Sequence, residues 1–288
     1  MATAIVTDSN SGIGMAEAKE HGIFMIPMPV IINDQIYFEG DNITEEEFYD
    51  ALCSDMQVTT SMPSPGDLTD LWDSILSGMY DELVYIPMSS GLSNSCAAST
   101  ALAQDYAGKV SVVDNHRISV TLRESVFTAL ELSKQGKTGK EIKEYLEKEA
   151  YDASIYIAVD TLEYLKRGGR VTPAGAALAS VLNIKPILTI QGEKLDSFSK
   201  SRGMKKAFKI MVEALQKDFN HRFDKAKPEN IHIGIAGTLL SEDEIRAYKE
   251  TLGKAFPQCK IYYQPLSLSI GCHVGPHAVG IGMSYVKE

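Results

Sequence analysis

The sequence of 288 residues is poor in cysteine, and its few thiols lie far apart. No Cys-x-x-Cys pair occurs among its four cysteines, which are Cys53, Cys96, Cys259 and Cys272. Disulfide frameworks and structural zinc sites depend on clustered cysteines or histidines. We therefore expect free buried thiols in a reducing compartment, and no metal site.

Positive charge is also scarce. The chain carries 28 lysines and arginines against 38 aspartates and glutamates, for a formal net charge of −10. Nucleic-acid binding depends on neutralising phosphates, and anionic membrane surfaces attract basic segments. The sequence therefore argues against a nucleic-acid partner and against an anionic membrane surface.

Long apolar runs are missing as well. No run approaches the ~20 residues that a helix needs to span a bilayer. The chain opens on a strand-like apolar run at residues 2–7, without a basic region or a cleavage site. We expect a cytoplasmic protein with no stable membrane insertion.

The usual phosphate-binding signatures are incomplete. Residues 12–14 (GIG) follow the first apolar run, but Glu17 stands where a dinucleotide fingerprint needs its third glycine. The chain has no Walker-type Gly-Lys-Ser/Thr. We interpret residues 12–14 as a strand-to-helix turn and expect no cofactor, although a phosphosugar or nucleotide ligand stays an alternative.

Strand and helix patterns alternate along the chain, which is typical of an α/β protein. The predicted strands are residues 2–7, 23–32, 83–88, 109–114, 155–159, 185–190, 193–199, 231–236, 260–266 and 279–285. The predicted helices are residues 11–20, one from Thr44, 67–79, 93–106, 118–134, 138–149, 172–182, 204–219 and 242–255. We expect two domains: a doubly wound parallel sheet in residues 1–152, and a mixed sheet in residues 153–288.

The most informative segment is residues 59–65 (TTSMPSP), which places four hydroxyls beside two prolines. Proline fixes its own φ and holds the preceding residue extended, so we expect a stiff row of donors that is neither strand nor helix. Ser64 is suited to cap a helix that begins at Pro65. Such a turn suits a small anion or a carboxylate.

Two further hydroxyl-rich loops follow predicted strands, at residues 8–11 (DSNS) and 89–95 (SSGLSNS). Ligands in open α/β sheets bind beyond the carboxyl ends of strands. Serine and asparagine at these places also cap helices. Three such loops together favour a shared binding site.

Other candidates lie in the second half. Arg170 follows the predicted glycine cap of a helix, so it can serve a ligand or join the two halves. Residues 269–277 (SIGCHVGPH) form a predicted loop in which His273 or His277 is a plausible site residue. A predicted basic patch consists of Lys200, Arg202, Lys205, Lys206 and Lys209.

A serine hydrolase is the main enzymatic alternative. Residues 91–95 (GLSNS) approach the Gly-x-Ser-x-Gly nucleophile elbow, and Ser93, Asp160 and His273 follow the chain order of that fold. Ser95 replaces the final glycine of the elbow, which argues against this alternative.

These motifs together resemble the DegV family of bacterial fatty-acid-binding proteins, over essentially the whole chain. The resemblance rests on residues 7–9 (TDS), 60–65 (TSMPSP), 89–93 (SSGLS), 168–170 (GGR) and 273–276 (HVGP).

The resemblance implies a two-domain protein that is not an enzyme by itself. It implies that one long-chain fatty acid lies in an apolar tunnel between the domains. The carboxylate would be held by Thr60 or Ser61 and by Ser93, with His273 and Arg170 close to it.

In some members of the family, a fatty acid kinase phosphorylates the bound acid, and Arg202 matches a kinase-docking arginine of those members. The chain departs from the family pattern at Met62, Asn94 and His277, and residues 200–203 are a looser version of a more basic family stretch.

Overall fold

The computed structural model describes residues 2–177 and 184–287. Contacts between residues divide the chain into two compact units. The first is Met1–Tyr151 with Ser267–Ser269, and the second is Asp152–Leu266 with Ile270–Glu288. The predicted domains, 1–152 and 153–288, are separated at a single point of the chain. They do not include this return of Ser267–Ser269 to the first unit.

Thirteen strands are found in the described residues. In chain order they are β1 (Thr3–Asp8), β2 (Phe24–Ile26), β3 (Val30–Ile32), β4 (Gln35–Tyr37), β5 (Val58–Thr60), β6 (Glu82–Ile86), β7 (Val110–Val112), β8 (Ala153–Ala158), β9 (Ile184–Ile190), β10 (Asp196–Arg202), β11 (Ile231–Gly237), β12 (Lys260–Pro265) and β13 (Val279–Tyr285).

The same residues form eleven α-helices and three short 3-10 turns. The helices are α1 (Met15–His21), α2 (Glu45–Cys53), α3 (Pro65–Leu76), α4 (Ser95–Ala103), α5 (Ser119–Lys134), α6 (Gly139–Lys148), α7 (Glu163–Gly168), α8 (Pro173–Ala176), α9 (Met204–His221), α10 (Glu242–Ala255) and α11 (Leu268–Val274). The helix predicted at residues 172–182 is described only as α8, and its remainder lies outside the described residues.

The first unit contains the predicted parallel sheet, in the strand order β2-β1-β6-β7. Helices α3 and α4 contribute Leu68, Trp72 and Cys96 to an apolar core with β1 and β6. Helix α5 contacts β1, and α6 contacts β6 and β7. The doubly wound α/β prediction for this half of the chain is therefore confirmed.

The predicted strand at residues 23–32 is wrong as a single element. It breaks at Pro27 and Pro29 into β2, which joins the parallel sheet, and β3, which joins a small antiparallel sheet of order β4-β3-β5. Proline has no N–H for a strand ladder, which explains the break. The same small sheet corrects a second prediction, since Thr59 and Thr60 belong to β5 rather than to an irregular loop.

The second unit contains a six-stranded mixed sheet of order β10-β9-β8-β13-β11-β12. Only β11 and β12 run parallel, and the other neighbours are antiparallel. The predicted hairpin is present as β9 and β10, but β10 begins at Asp196 and carries a bulge between Ser197 and Ser199. Helix α9 contributes Met211 and Leu215 to the apolar core of this unit.

Several local predictions agree with the structure. Thr44 and Glu47 form a capping box at α2, and Ser64 caps α3 with Pro65 as its first residue. All four cysteines are outside disulfides, and Cys96 and Cys272 are buried as expected, whereas Cys259 is half-buried and Cys53 is exposed. Among the helices of the described residues, none is long and apolar enough to cross a membrane.

Candidate functional site

The carboxyl edge of the parallel sheet holds the first candidate residues. The chain leaves β1 towards β2 on one side and leaves β6 towards β7 on the other, so the topological switch point lies between β1 and β6. Ligands of open α/β sheets bind where two such loops diverge. The loops are residues 9–14 and 87–94, which contain the predicted serine-rich segments.

A buried hydrogen-bond network that starts at Asp8 joins these two loops. The Asp8 carboxylate accepts from the backbone N–H groups of Asn10 and Met88, both at 2.9 Å. The Oδ1 atom of Asn10 accepts from the Ser267 hydroxyl at 2.8 Å. Asp8 and Asn10 are both 0% exposed. The position of one loop therefore depends on the other.

Asp8 is a buried acid with an altered titration. Burial raises its pKa from 3.8 to about 6, against the opposing effect of the hydrogen bonds from Met88 and Asn10. At neutral pH the Asp8 carboxyl group is therefore mostly ionised. It places a negative charge inside the first unit, beside the switch point.

The threonine-serine segment is connected to the same edge. The N–H of Ser61 donates to the carbonyl of Pro29 at 3.2 Å. Met28, the residue before Pro29, donates its N–H to the Ser9 hydroxyl at 3.0 Å. Residues 28 and 29 therefore link Ser61 to the loop that follows β1, so the structure brings these two predicted segments together.

Thr60 and Ser61 face different surroundings. Thr60 pairs with Val30 across β3 and β5, and Val30 is fully buried, so Thr60 lies on the inner face of the small sheet. Ser61 is exposed, and its hydroxyl donates to the carbonyl of Met62 at 2.6 Å. A hydroxyl has one proton, so the Ser61 proton is already used locally.

The serine turn after β6 presents Ser93. The N–H groups of Leu92 and Ser93 donate to the Ser89 carbonyl at 3.0 and 3.2 Å. The Ser93 hydroxyl accepts from the N–H of Ser95, the first residue of α4, at 3.1 Å. Ser93 thus supports the helix start as an acceptor, and its own O–H proton can be donated to a ligand.

Arg117 holds the serine turn in place and was not predicted from the sequence. Its carbonyl accepts from the Ser89 N–H at 2.9 Å. Its guanidinium, in a side chain that is 5% exposed overall, donates to the Ala150 carbonyl and the Ser125 hydroxyl, both at 3.2 Å, and to the carbonyl of Glu149. The guanidinium therefore caps the carboxyl end of α6. An isolated arginine in a polar run carries no sequence signal for this role.

In the second unit, Arg170 and His273 lie at the end of α7. Gly169, with φ of 69°, ends the helix in the left-handed conformation, as predicted. Arg170 Nη1 donates to the Gly168 carbonyl. The His273 ring lies against Gly168, because a β-carbon at that glycine would fall 2.2 Å from Nδ1. The structure therefore brings these two predicted residues together.

His273 is a neutral group at physiological pH. Burial, with a smaller effect from the Arg170 charge, lowers the pKa of its imidazole from 6.5 to about 4. A neutral imidazole can donate one hydrogen bond and accept another. The other candidate, His277, is exposed and has φ of 57°.

The predicted loop at residues 269–277 is wrong, because Leu268–Val274 forms helix α11. The Glu39 carboxylate accepts from the N–H of Leu268 at 2.9 Å and so satisfies a donor at the start of this helix. Burial raises the pKa of Glu39 above 4.5. Gly271 within α11 favoured the interpretation of this segment as a loop. Glu39, which accepts from the start of the helix, lies 229 residues from Leu268 in the sequence.

Arg202 is the last residue of β10, at the edge of the second sheet. It is exposed, and the other members of the predicted basic patch are exposed too, namely Lys200, Lys205, Lys206 and Lys209. The patch lies on β10 and the first turns of α9, within a protein of net charge −10.

The geometry does not favour the hydrolase alternative. A nucleophile elbow holds its serine in a strained turn. Ser93 is not one of the non-glycine residues with positive φ in residues 2–177. The Asp160 carboxylate is paired with Lys185.

Comparison with known proteins assigns this two-unit α/β chain to a single protein family. The model of the DegV family, described as "Uncharacterised protein, DegV family", matches residues 2–286. The chain therefore belongs to the DegV family.

Individual members show the extent of the similarity. The protein DegV of Bacillus subtilis is 32% identical over 286 residues, which cover 98% of each chain. A structure described as fatty acid binding of a DegV family protein from Thermus thermophilus has a TM-score of 0.88 at 28% identity, and covers 99% of this chain and 100% of its own. The crystal structure of DegV from Bacillus subtilis, described as a fatty acid binding protein, has a TM-score of 0.85 at 28% identity and covers 99% of both chains.

Proposed function

We propose that this protein binds a long-chain fatty acid and carries it in the cytoplasm without catalysing a reaction by itself. The observation that carries the proposal is the hydroxyl-rich switch point of the first unit, where Ser93 can donate a proton. The fatty acid binding described for the structures from Thermus thermophilus and Bacillus subtilis supports the same ligand.

The fatty-acid carboxylate is held by Ser93 and Thr60, with Arg170 and His273 near it. A buried carboxylate costs several kcal/mol unless it is hydrogen-bonded or paired. Thr60 is favoured over Ser61 because it lies on the inner face of its sheet, whereas Ser61 is exposed. Neutral donors leave a carboxylate oxygen able to react with a phosphoryl group.

The acyl chain lies in an apolar tunnel between domain 1–152 and domain 153–288. Each buried CH₂ contributes about 0.8 kcal/mol, so a long chain supplies most of the affinity. The hydroxyls then determine the orientation of the acid. Thr60 is held in place by its pairing with Val30 across β5 and β3, so that binding need not order the segment.

The acid is presented to a fatty acid kinase, and Arg202 contributes to docking that partner. The support is the exposed basic patch on β10 and α9 in an otherwise acidic chain. The test is acyl phosphate formation by such a kinase with Arg202→Glu and wild-type protein. Equal rates for the two proteins would refute the docking role.

Substitution of the donors tests the carboxylate site. We expect Ser93→Ala and Thr60→Val each to weaken oleate binding about 10- to 150-fold, because each removes a charge-assisted hydrogen bond of about 1.5–3 kcal/mol. Titration calorimetry with oleate measures the affinities. Thr59→Val is the matched control, since Thr59 is exposed on the neighbouring position of the same strand. Unchanged affinity in both donor variants contradicts the assignment.

The ligand itself is tested by native mass spectrometry of protein purified from cells. We expect a co-purified mass that matches a long-chain fatty acid. Protein that arrives empty and also ignores added oleate and palmitate would refute the proposed function.

A further inference from the structure

Gly168 has an unusually close neighbour in the His273 ring. A β-carbon built on Gly168 would lie 2.2 Å from Nδ1, 2.9 Å from Cε1 and 3.4 Å from Cγ of that ring. Contacts below 3.0 Å do not occur for real β-carbons, so the imidazole occupies space that any side chain at position 168 would need.

The adjacent glycine has a different role. Gly169 has φ of 69°, and a β-carbon there would meet no atom of the described residues within 4 Å. Gly169 is therefore required for its backbone conformation, as a left-handed helix end. Gly168 belongs to helix α7 and is required for its lack of a side chain.

The two segments approach closely at a second glycine. A β-carbon on Gly275 would fall 2.3 Å from Cδ2 of Tyr164, which belongs to α7. The carbonyl of Gly275 accepts from the Thr238 hydroxyl at 2.8 Å. The chain segment that carries His273 is therefore held against α7 at Gly275, two residues after His273.

The contact also orients the ring. Of the His273 ring atoms, Nδ1 lies nearest to the position that a β-carbon on Gly168 would take, and Cε1 is the next nearest. Nε2 is no closer to that position than Cγ, which lies at 3.4 Å. The same glycine receives Arg170 at its carbonyl, so one residue contacts both second-unit candidates for the carboxylate.

We propose that Gly168 is a positioning residue whose lack of a side chain lets the His273 ring lie against α7, and so sets where the imidazole stands beside the fatty-acid carboxylate. The part of this inference that concerns the carboxylate rests on the proposed function. The part that concerns the ring orientation does not, because it can be measured without a ligand.

The test is the variant Gly168→Ala. The added methyl displaces the His273 ring, which can rotate, so we expect a folded protein whose His273 imidazole signals differ from wild type in long-range ¹⁵N–¹H spectra. Oleate affinity falls about tenfold or more, the effect of losing one charge-assisted hydrogen bond. Gly253→Ala in α10 is the control, since a β-carbon there meets none of the described atoms within 4 Å.

A double-variant cycle separates this role from a general structural one. In a His273→Ala background, Gly168→Ala should have no further effect on oleate affinity, because the ring is already gone. If Gly168→Ala fails to fold, recovery of folding in the double variant supports the proposal, and failure of both overturns it.

Two results overturn the inference in a protein that folds. One is a Gly168→Ala variant with the His273 spectrum of the wild type. The other is an equal loss of affinity with and without the His273 ring. A wild-type protein that binds no fatty acid refutes the proposed function instead, while the spectra of the ligand-free proteins still test the role of Gly168.

Discussion

Replacing Asp8 with alanine is expected to lower the free energy of unfolding of the first unit by about 2–6 kcal/mol. The substitution leaves the buried N–H groups of Asn10 and Met88 without their acceptor. Each buried donor left without a partner costs about 1–3 kcal/mol. Urea denaturation of wild-type and variant protein measures the difference.

Asp81→Ala is the matched control for this prediction. Asp81 also accepts from a backbone N–H, that of Ala2 at 2.8 Å, but the bond is exposed. Surface substitutions of this kind change stability by about 0.5 kcal/mol or less. Equal effects of the Asp8 and Asp81 variants would show that burial of the network has no energetic importance.

The pH dependence of Asp8 has a defined sign. Its folded pKa of about 6 lies above its ordinary value of 3.8, so the folded state holds the proton more tightly than the unfolded state. Its contribution to stability is present below pH 4 and is lost as the pH rises towards 6, by up to about 3 kcal/mol. His273 acts oppositely, because its folded pKa is lowered to about 4 and its contribution is lost as the pH falls below 6.5.

The two opposing contributions are separated by comparing wild type with Asp8→Asn. The cost of this substitution should be larger at pH 4 than at pH 7, since only the wild type has the titrating group at position 8. Urea denaturation at several pH values gives this difference directly. A cost that grows with pH would show that the ionised carboxylate is the stabilising form.

Replacing Arg117 with alanine is expected to cost about 2–6 kcal/mol, because each of two buried carbonyls left without its donor costs about 1–3 kcal/mol. The carbonyls of Glu149 and Ala150 would lose a common donor at the end of α6. Loss of that support should also weaken the hydrogen bond that the Ser89 N–H donates to the carbonyl of residue 117, which measures 2.9 Å in the wild type. Urea denaturation and hydrogen exchange at Ser89 measure the two effects.

Arg117→Lys provides the graded comparison. Lysine keeps a positive charge near the helix end but lacks the planar set of donors that reaches several acceptors at once. We expect it to recover part of the stability that the alanine variant loses. An alanine variant within about 0.5 kcal/mol of wild type would refute the importance of Arg117.

The parts of the fold that depend on local signals could be predicted from the sequence. The Ser64 cap with Pro65, the capping box of Thr44 and the left-handed Gly169 are each encoded within a few residues. The parallel sheet followed from apolar runs that alternate with helical periodicity. The break between β2 and β3 was also encoded locally, in Pro27 and Pro29, but the apolar run around them concealed it.

The parts that depend on distant partners could not be predicted. Ser267 meets Asn10 across 257 residues, and Leu268 meets Glu39 across 229. Neither pair has a motif, because each side chain is an ordinary polar residue until the fold brings it to its partner. The candidate hydroxyls were recognisable as a pattern, whereas Arg117 and the close contact of Gly168 with His273 depend on tertiary structure.

The return of Ser267–Ser269 to the first unit has a consequence for biosynthesis. A ribosome releases β1 before the strands that follow it, and units that precede others in a chain generally fold while the rest is still being made. Here Asn10 gains its bond from Ser267, and Glu39 gains its bond from Leu268, only after β1 to β12 have all been made. The nascent first unit therefore completes these hydrogen bonds only after Asp152–Leu266 of the second unit have been made, in the same interval as the helix that carries His273.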